Sequence, residues 1–296
     1  MKNKTNLLAT LGLLIVAIIW GTGFIATQIA IDEGMTTSFI MLVRFGVASL
    51  VLGISSQKDI RQISIIDLKR GLVAGTLLFL GFTLQTVGLN FTTPSSNAFI
   101  TATSVVMVPF LSWFILKEKP ENKVFLAAFI CLMGLGILAL GPSQDMKLSI
   151  GDTFTLLCAV AFALHTVSMG KFAAQMNTNI LTFLQITTAA VFSLIMFIMV
   201  DRDIWAFTST KGLLASLYLG IFSTFICYSI QTICQRYISP SKVSIIVSTE
   251  ALFGSVFSVM LGYESFTRFL LSGGLAIIVA MLIIEINFVR TWKSSI

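Results

Sequence analysis

"LQTVGLNFTTPSS" at residues 84–96 and "IQTICQRYISPSK" at residues 230–242 are two versions of one phrase. Three pairs of residues in and beyond these stretches stand 146 positions apart without a gap: Gln85 with Gln231, Pro94 with Pro240, and Glu118 with Glu264. The chain is therefore an internal duplication. We expect its halves to be residues 1–145 and 146–296, with Glu118 and Glu264 as equivalent helix ends that anchor or gate each half.

Composition places both halves in a membrane. The 296 residues are 56% hydrophobic and only 11% charged, too apolar for a soluble globule with a wetted surface. A run of about 18 apolar residues crosses roughly 30 Å of hydrocarbon as a helix. We predict an all-α integral membrane protein with ten transmembrane helices, over residues 7–31, 37–54, 70–89, 96–116, 124–140, 151–173, 179–199, 212–232, 242–261 and 267–288.

The number of helices in each half determines how the halves relate. Because five is odd, the second five-helix half must enter the membrane from the opposite side, which makes an inverted-topology repeat. Lysines and arginines favour the cytoplasmic side of a membrane. Most of the 19 lie in loops on one side, and Lys147, Arg202, Lys211 and Arg268 lie on the other. We expect a multi-pass protein of the plasma (cytoplasmic) membrane, with both termini in the cytoplasm.

Several classes of function are disfavoured by what the chain lacks. The net charge of +6 is scattered over short loops, so we expect no nucleic-acid partner. The four cysteines show no paired spacing, and a lone histidine makes no metal site, so we predict neither metal nor cofactor. No glycine-rich phosphate loop is present, so transport energy must come from a gradient or from a partner.

Four stretches carry a family resemblance: "WGTGF" at 20–24, "RFGVASL" at 44–50, "FTTPSSNAFITATSVVMVPFLSWFILKEK" at 91–119, and the matching segment from Pro240 to Glu264. Together they resemble the EamA-type members of the drug/metabolite transporter superfamily. The resemblance implies two inverted five-helix repeats around a central substrate cavity. It also implies secondary transport, often efflux, of amino acids, nucleosides, related metabolites or toxic compounds.

The two halves differ at positions that matter to this resemblance. Phe162 and Ala163 stand where the first half has Trp20 and Gly21, and Ser255 stands at the position of Pro109. The halves need not contribute equally to binding.

Ionisable residues inside apolar segments are functional candidates by default. Glu250 lies in helix nine and could carry a proton, hold a cationic substrate, or serve as a structural carboxylate between helices. His165, the only histidine, is expected at a similar depth. The two could form a proton switch, or His165 could be a hydrogen-bonded packing residue.

Arg44 lies deep in helix two and needs a partner. It could contact a substrate carboxylate or phosphate, or it could bind helix-end carbonyls or the Asp32–Glu33 turn. We favour the second interpretation because the other half has no matching arginine, Gln185 standing in its place.

Other polar and aromatic residues complete the candidate site. Trp20, beside Gly21 and Gly23, could stack on a substrate ring or cation, or could belong to ordinary helix packing. The two glutamines of the phrase could bind substrate or tie helices together, and hydroxyls early in helices four and nine could bond back to their own helix. The predicted substrate-binding residues are Trp20, Gln85, Asn97, Thr101, His165, Gln231, Ser248 and Glu250, with Ser104 and Thr249 nearby.

These observations predict a secondary active transporter of small metabolites, namely amino acids, nucleosides or nucleobases, or organic cations. We expect an alternating-access exporter, with proton coupling through Glu250 and His165 as a hypothesis. The alternative is a non-transporting intramembrane enzyme or a structural membrane protein built on the duplicated fold.

Overall fold

The computed structural model describes residues 2–92, 94–117, 119–139, 149–201, 209–262 and 265–285, and the regular structure of these residues is entirely helical. A π-helical segment, Leu219–Ile226, joins α10 to α11. The α-helices are α1 (Lys2–Asp32), α2 (Thr37–Ser55), α3 (Gln57–Ile60), α4 (Ile65–Leu89), α5 (Pro94–Ala102), α6 (Ser104–Leu116), α7 (Asn122–Ala139), α8 (Ile150–Ala173), α9 (Thr178–Val200), α10 (Thr210–Tyr218), α11 (Cys227–Gln235), α12 (Pro240–Val247), α13 (Glu250–Met260) and α14 (Arg268–Glu285).

The predicted spans correspond to these helices. Eight continuous helical stretches of the described residues are long and apolar enough to cross a membrane. The fifth and tenth predicted spans correspond to shorter apolar helices, Asn122–Leu138 and Arg268–Ile284. The all-helical, multi-pass class is confirmed; eight of the ten predicted spans are full-length helices in the described residues, and the other two are shorter apolar helices.

Local sequence explains where two of the long helices begin. Ser64 and Ser149 each cap a helix, and each accepts a hydrogen bond from the backbone of an aspartate three residues later. Asp67 and Asp152 reach back to the cap residue in return, completing a capping box. Because both boxes satisfy amides that the helix itself leaves free, α4 and α8 start at defined residues.

The duplication extends to a break inside a helix of each half. α5 gives way to α6 at Thr103, and α12 gives way to α13 just after Ser248. The Thr103 hydroxyl donates to the Ile100 carbonyl at 2.6 Å, and the Thr249 hydroxyl donates to the Ile246 carbonyl at 2.6 Å. Each of these residues stands 146 positions from its counterpart, and a hydroxyl bonded back to its own helix favours a bend. The predicted helix ends Glu118 and Glu264 lie outside the described residues.

Two large hydrophobic clusters make up most of the core, and two smaller ones accompany them. One of the large clusters includes Leu13, Val105 and Leu135, and the other includes Phe45, Leu78 and Ile186. α4 packs against α8 and α9, α1 packs against α13, and α7 packs against α14. The contact between α7 and α14 is close: a Cβ added to Gly134 would lie 2.8 Å from the carbonyl oxygen of Gly273.

Candidate functional site

A cavity of about 770 Å³, including its space open to solvent, is lined by residues of both halves. The cavity brings together seven of the eight predicted substrate-binding residues: Trp20, Gln85, Thr101, His165, Gln231, Ser248 and Glu250.

Asn97 is the predicted residue that does not line the cavity. Its amide nitrogen donates to the Gln85 carbonyl at 3.0 Å and to the Thr155 hydroxyl at 2.9 Å, and the residue is fully buried. Asn97 therefore ties α5 to α4 and α8. Asn97 contacts neighbouring helices rather than lining this cavity, and its part in substrate binding stays a prediction.

Glu250 occupies the first position of α13, directly after the helix break. Its side chain lines the cavity, and the residue is 9% exposed. Over the described ranges, the carboxyl has no hydrogen-bond or ion-pair partner. The carboxyl is therefore available to a ligand or a proton.

Arg44 also lines the cavity, although it was not among the predicted site residues. It is 3% exposed. Its Nε donates to the Thr224 hydroxyl at 2.7 Å, and its Nη2 donates to the Ser223 hydroxyl at 3.0 Å. The guanidinium carbon lies 3.8 Å from the centroid of the Phe82 ring, a cation–π contact. These contacts hold the guanidinium in place without neutralising its charge.

The interpretation of Arg44 that we favoured from the sequence is wrong. Asp32 accepts a hydrogen bond from Gln28, and Glu33 accepts one from Ser209, so that turn has other partners. Arg44 reaches two hydroxyls in the other half of the chain, and the described residues provide no carboxylate for it. Part of its donor fork is left for a ligand, because a guanidinium carries five N–H groups.

The π-helical segment explains how Arg44 is held. A π-helix is rare, and where it occurs it often marks a functional site. Here it presents the hydroxyls of Ser223 and Thr224 to Arg44, and the Ser223 carbonyl accepts a hydrogen bond from Trp20 Nε1 at 2.7 Å. One short segment thus positions both a cationic and an aromatic residue of the cavity.

Aromatic side chains form a wall of the cavity. The Tyr228 ring lies 5.2 Å from Trp20 and 6.1 Å from Phe82, and Phe82 lies 5.0 Å from Phe162, all between ring centroids. Phe82 and Tyr228 are 146 positions apart. Neither was predicted from the sequence, although the offset of the repeated phrase pairs them as the aromatic residues one turn before its glutamines.

His165 lines the cavity but has no hydrogen bond to Glu250. Its Nε2 lies 2.8 Å from Gln185 Oε1, and Gln185 Nε2 donates to the Thr232 hydroxyl at 3.2 Å. The Thr232 hydroxyl in turn donates to the Tyr228 carbonyl at 2.7 Å. Thr232 donates its only hydrogen to Tyr228, so it must accept from the Gln185 amide nitrogen, which leaves Gln185 Oε1 as an acceptor. His165 Nε2 therefore carries the hydrogen in the bond to Gln185. The predicted direct pair of His165 and Glu250 is absent.

The remaining polar lining residues differ in how they are engaged. Gln85 donates to the Thr101 hydroxyl at 3.2 Å, and Ser248 donates to the Ser244 carbonyl at 2.7 Å. The Gln231 side-chain oxygen is buried without a hydrogen-bond partner among the described residues. Ser104 lines the cavity, whereas Thr249 bonds back to its own helix. No group of three or more potential metal ligands occurs in the described part of the chain.

Apolar helices, a duplicated architecture and a cavity lined by polar and aromatic residues of both halves define a multi-pass membrane transporter. The sequence matches the EamA-like transporter family twice, over residues 7–140 and 149–286, and the chain belongs to that family. Its environment is a lipid bilayer and its substrate a small molecule. Membership favours transport over the alternative of an intramembrane enzyme or a structural protein.

Relatives agree with this assignment. An uncharacterized transporter of Archaeoglobus fulgidus is 31% identical over 288 residues, covering 95% of this chain and 87% of that protein. The "Uncharacterized inner membrane transporter YicL" of Salmonella typhimurium is 26% identical over 298 residues, covering 96% of this chain and 97% of that one. A solved crystal structure that is 17% identical shares the fold, with a TM-score of 0.76 over 93% of this chain and 96% of the other.

Proposed function

We propose that this transporter is a secondary active carrier that exports a small zwitterionic metabolite of the amino-acid class in exchange for protons. One observation carries the proposal: a single cavity contains a buried arginine and a buried glutamate, and the described residues give neither of them a partner of opposite charge. A charge kept out of water and unpaired is costly, so such groups in a membrane protein favour a ligand of opposite charge.

The two charges select among the three predicted substrate classes. An amino acid offers a carboxylate to Arg44 and an ammonium group to Glu250. A guanidinium binds a carboxylate through two parallel hydrogen bonds. A nucleoside or a simple organic cation leaves Arg44 without a counter-charge, so both classes fit the cavity less well.

The aromatic wall accounts for the rest of the ligand. Trp20, Tyr228 and Phe82 lie beside the two charged groups and present ring faces and edges. Such surfaces favour an apolar or aromatic side chain. The unpaired oxygen of Gln231 and the hydroxyl of Ser104 are further hydrogen-bonding groups for the ligand.

Glu250 supplies a physical basis for coupling to protons. The carboxyl can hold a proton or an ammonium group, but not both at once. An empty cavity with an ionised Glu250 contains an uncompensated buried charge. The transporter therefore changes between its inward-open and outward-open states preferentially when Glu250 is protonated or substrate is bound. Since protons enter the cytoplasm down their gradient, the substrate leaves. His165 stays a predicted second coupling group, through the Nδ1 that is not engaged with Gln185.

Alternating access fits the duplicated architecture. Two repeats of opposite orientation can exchange inward and outward openings around a site between them. The equivalent helix breaks at Thr103 and Thr249 adjoin the cavity and are the natural places for this movement. The distribution of lysine and arginine favours the plasma (cytoplasmic) membrane orientation with both termini inside.

Three related compounds test the proposed substrate class: phenylalanine, phenethylamine, which lacks the carboxylate, and N-acetylphenylalanine, which lacks the ammonium group. Thermal stabilisation of the purified transporter measures binding, and a ligand at 100 times its Kd adds about 2.7 kcal/mol. We expect the zwitterion to stabilise most. Equal stabilisation by the amine would indicate a cation carrier, and equal stabilisation by the acid an anion carrier; either result would overturn the proposal.

A further inference from the structure

A second cavity, which shares no lining residue with the central one, lies where α1 and α12 begin and α6 ends. It measures about 1350 Å³ including its space open to solvent. We call it the basic groove, defined by Ser112, Lys119, Lys123, Pro240 and Lys242. All of these ends belong to the predicted cytoplasmic side.

The groove has an excess of positive charge. Among the described residues, three lysines line it, together with one acidic residue, Glu121. Lys123 pairs with Glu121 at 3.2 Å, and the Lys119 ammonium lies 5.3 Å from the centre of the Trp113 ring. A cation–π contact orients the ammonium but leaves its charge in place. The groove therefore attracts anions.

Two kinds of hydrogen-bond donor face this positive region. The Ser112 residue is 4% exposed and lines the groove, and its hydroxyl has no hydrogen-bond partner within the described ranges. α12 begins at Pro240, and the first amides of a helix have no acceptor inside that helix. Helix starts of this kind bind phosphate oxygens, and a phosphate group has enough oxygens to accept from the serine as well.

One side of the groove is apolar. Leu7, which is 59% exposed, and Leu116, Val124 and Ile284 belong to its lining. A soluble phosphate would leave this surface unused, whereas an acyl chain would cover it. Basic pockets between transmembrane helices on the cytoplasmic side suit anionic lipid headgroups.

We propose that the basic groove binds an anionic phospholipid, with the phosphate at Ser112 and the start of α12, and an acyl chain along Leu7. α12 continues from Lys242 to Val247, and its residues Val243, Ser244 and Val247 line the central cavity. A lipid at the start of α12 therefore holds one wall of the transport site in position. The proposal does not depend on the identity of the substrate.

Native mass spectrometry of the full-length transporter tests the groove after exchange into mixtures of phosphatidylglycerol and phosphatidylcholine. We expect the wild type to retain phosphatidylglycerol preferentially. Lys242→Gln and Ser112→Ala should each weaken its retention about tenfold, as expected for loss of a hydrogen bond to a charged group. Lys58→Gln is the matched control, because Lys58 is exposed and lies outside the groove.

Three results would overturn the proposal. The first is equal retention of the two lipids by the wild type. The second is an equal effect of Lys58→Gln and Lys242→Gln, which would indicate only a general charge effect. The third is displacement of phosphatidylglycerol by an equal concentration of inorganic phosphate, which would identify a soluble phosphoryl group as the ligand. Ser112→Ala removes a single oxygen atom, so it tests the groove independently if the Lys242→Gln variant folds poorly.

Discussion

Arg44→Gln should weaken the binding of a zwitterionic substrate while leaving its amine analogue almost unaffected. Arg44 uses Nε and Nη2 for Thr224 and Ser223, and the rest of its donor fork faces the cavity. Two hydrogen bonds to a substrate carboxylate, each worth about 1.5 kcal/mol because the groups are charged, sum to about 3 kcal/mol. The expected loss is about 100-fold in Kd.

Arg44→Lys separates charge from geometry. A lysine keeps the positive charge but cannot form the two parallel hydrogen bonds of a guanidinium. We expect an affinity between those of the wild type and Arg44→Gln, about tenfold below the wild type if one of the two bonds is lost. Arg70→Gln is the control, because Arg70 lies outside the cavity and is hydrogen-bonded to Gln175 at 2.8 Å.

The assay is isothermal titration of phenylalanine and of phenethylamine into each purified variant. Arg44→Gln should weaken the binding of phenylalanine far more than that of phenethylamine, which we expect to change less than about twofold because it has no carboxylate. Equal weakening of both ligands would refute the reasoning, because it would show a general disturbance of the cavity. Unchanged phenylalanine binding would refute it as well.

Two further predictions concern the scaffold. Gly21→Ala would place a Cβ 2.9 Å from the Glu250 carbonyl oxygen, so we expect the free energy of unfolding to fall by about 1–3 kcal/mol and the Tm to fall with it. Gly46→Ala is the control, because its added Cβ would have nothing within 4 Å and should be neutral or stabilising. Equal shifts in Tm for the two variants would contradict this prediction. The hydrogen bond from Ser209, and to a smaller extent a nearby lysine, lowers the pKa of Glu33 from 4.5. The ionised Glu33 carboxylate therefore stabilises the fold above pH 4.5, and this contribution is lost as the pH falls through the lowered pKa. Ser209→Ala should raise that pKa in a carboxyl NMR titration, and an unchanged value would show that the hydrogen bond is not its cause.

The sequence was most informative where a polar residue interrupts an apolar segment. Glu250, His165 and Gln231 stood out because hydrocarbon penalises polar groups, and all three line the cavity. The 146-residue offset also contained the pairing of Thr103 with Thr249, at which both halves break a helix. Polar interruptions and the repeat offset are informative in a membrane protein because neither depends on which face of a helix contacts water.

The orientation of individual side chains was harder to predict. Lipid-facing and protein-facing surfaces are both apolar, so hydrophobic periodicity does not tell which way Asn97 points. The partners of Arg44 were inaccessible for another reason. Nothing in "LGIFSTFI" at residues 219–226 indicates a π-helix, and that geometry brings Ser223 and Thr224 to the arginine.

The most direct test of the account is substrate-driven proton movement in liposomes that contain the purified transporter. An outward gradient of phenylalanine is imposed, and internal pH is recorded for the wild type, Glu250→Gln and Asp32→Asn, a control carboxyl that is exposed and outside the cavity. The account predicts internal acidification as the substrate leaves the liposomes, equal acidification with Asp32→Asn, and none with Glu250→Gln. Acidification by Glu250→Gln at the wild-type rate would contradict the central claim that this carboxyl exchanges substrate for protons.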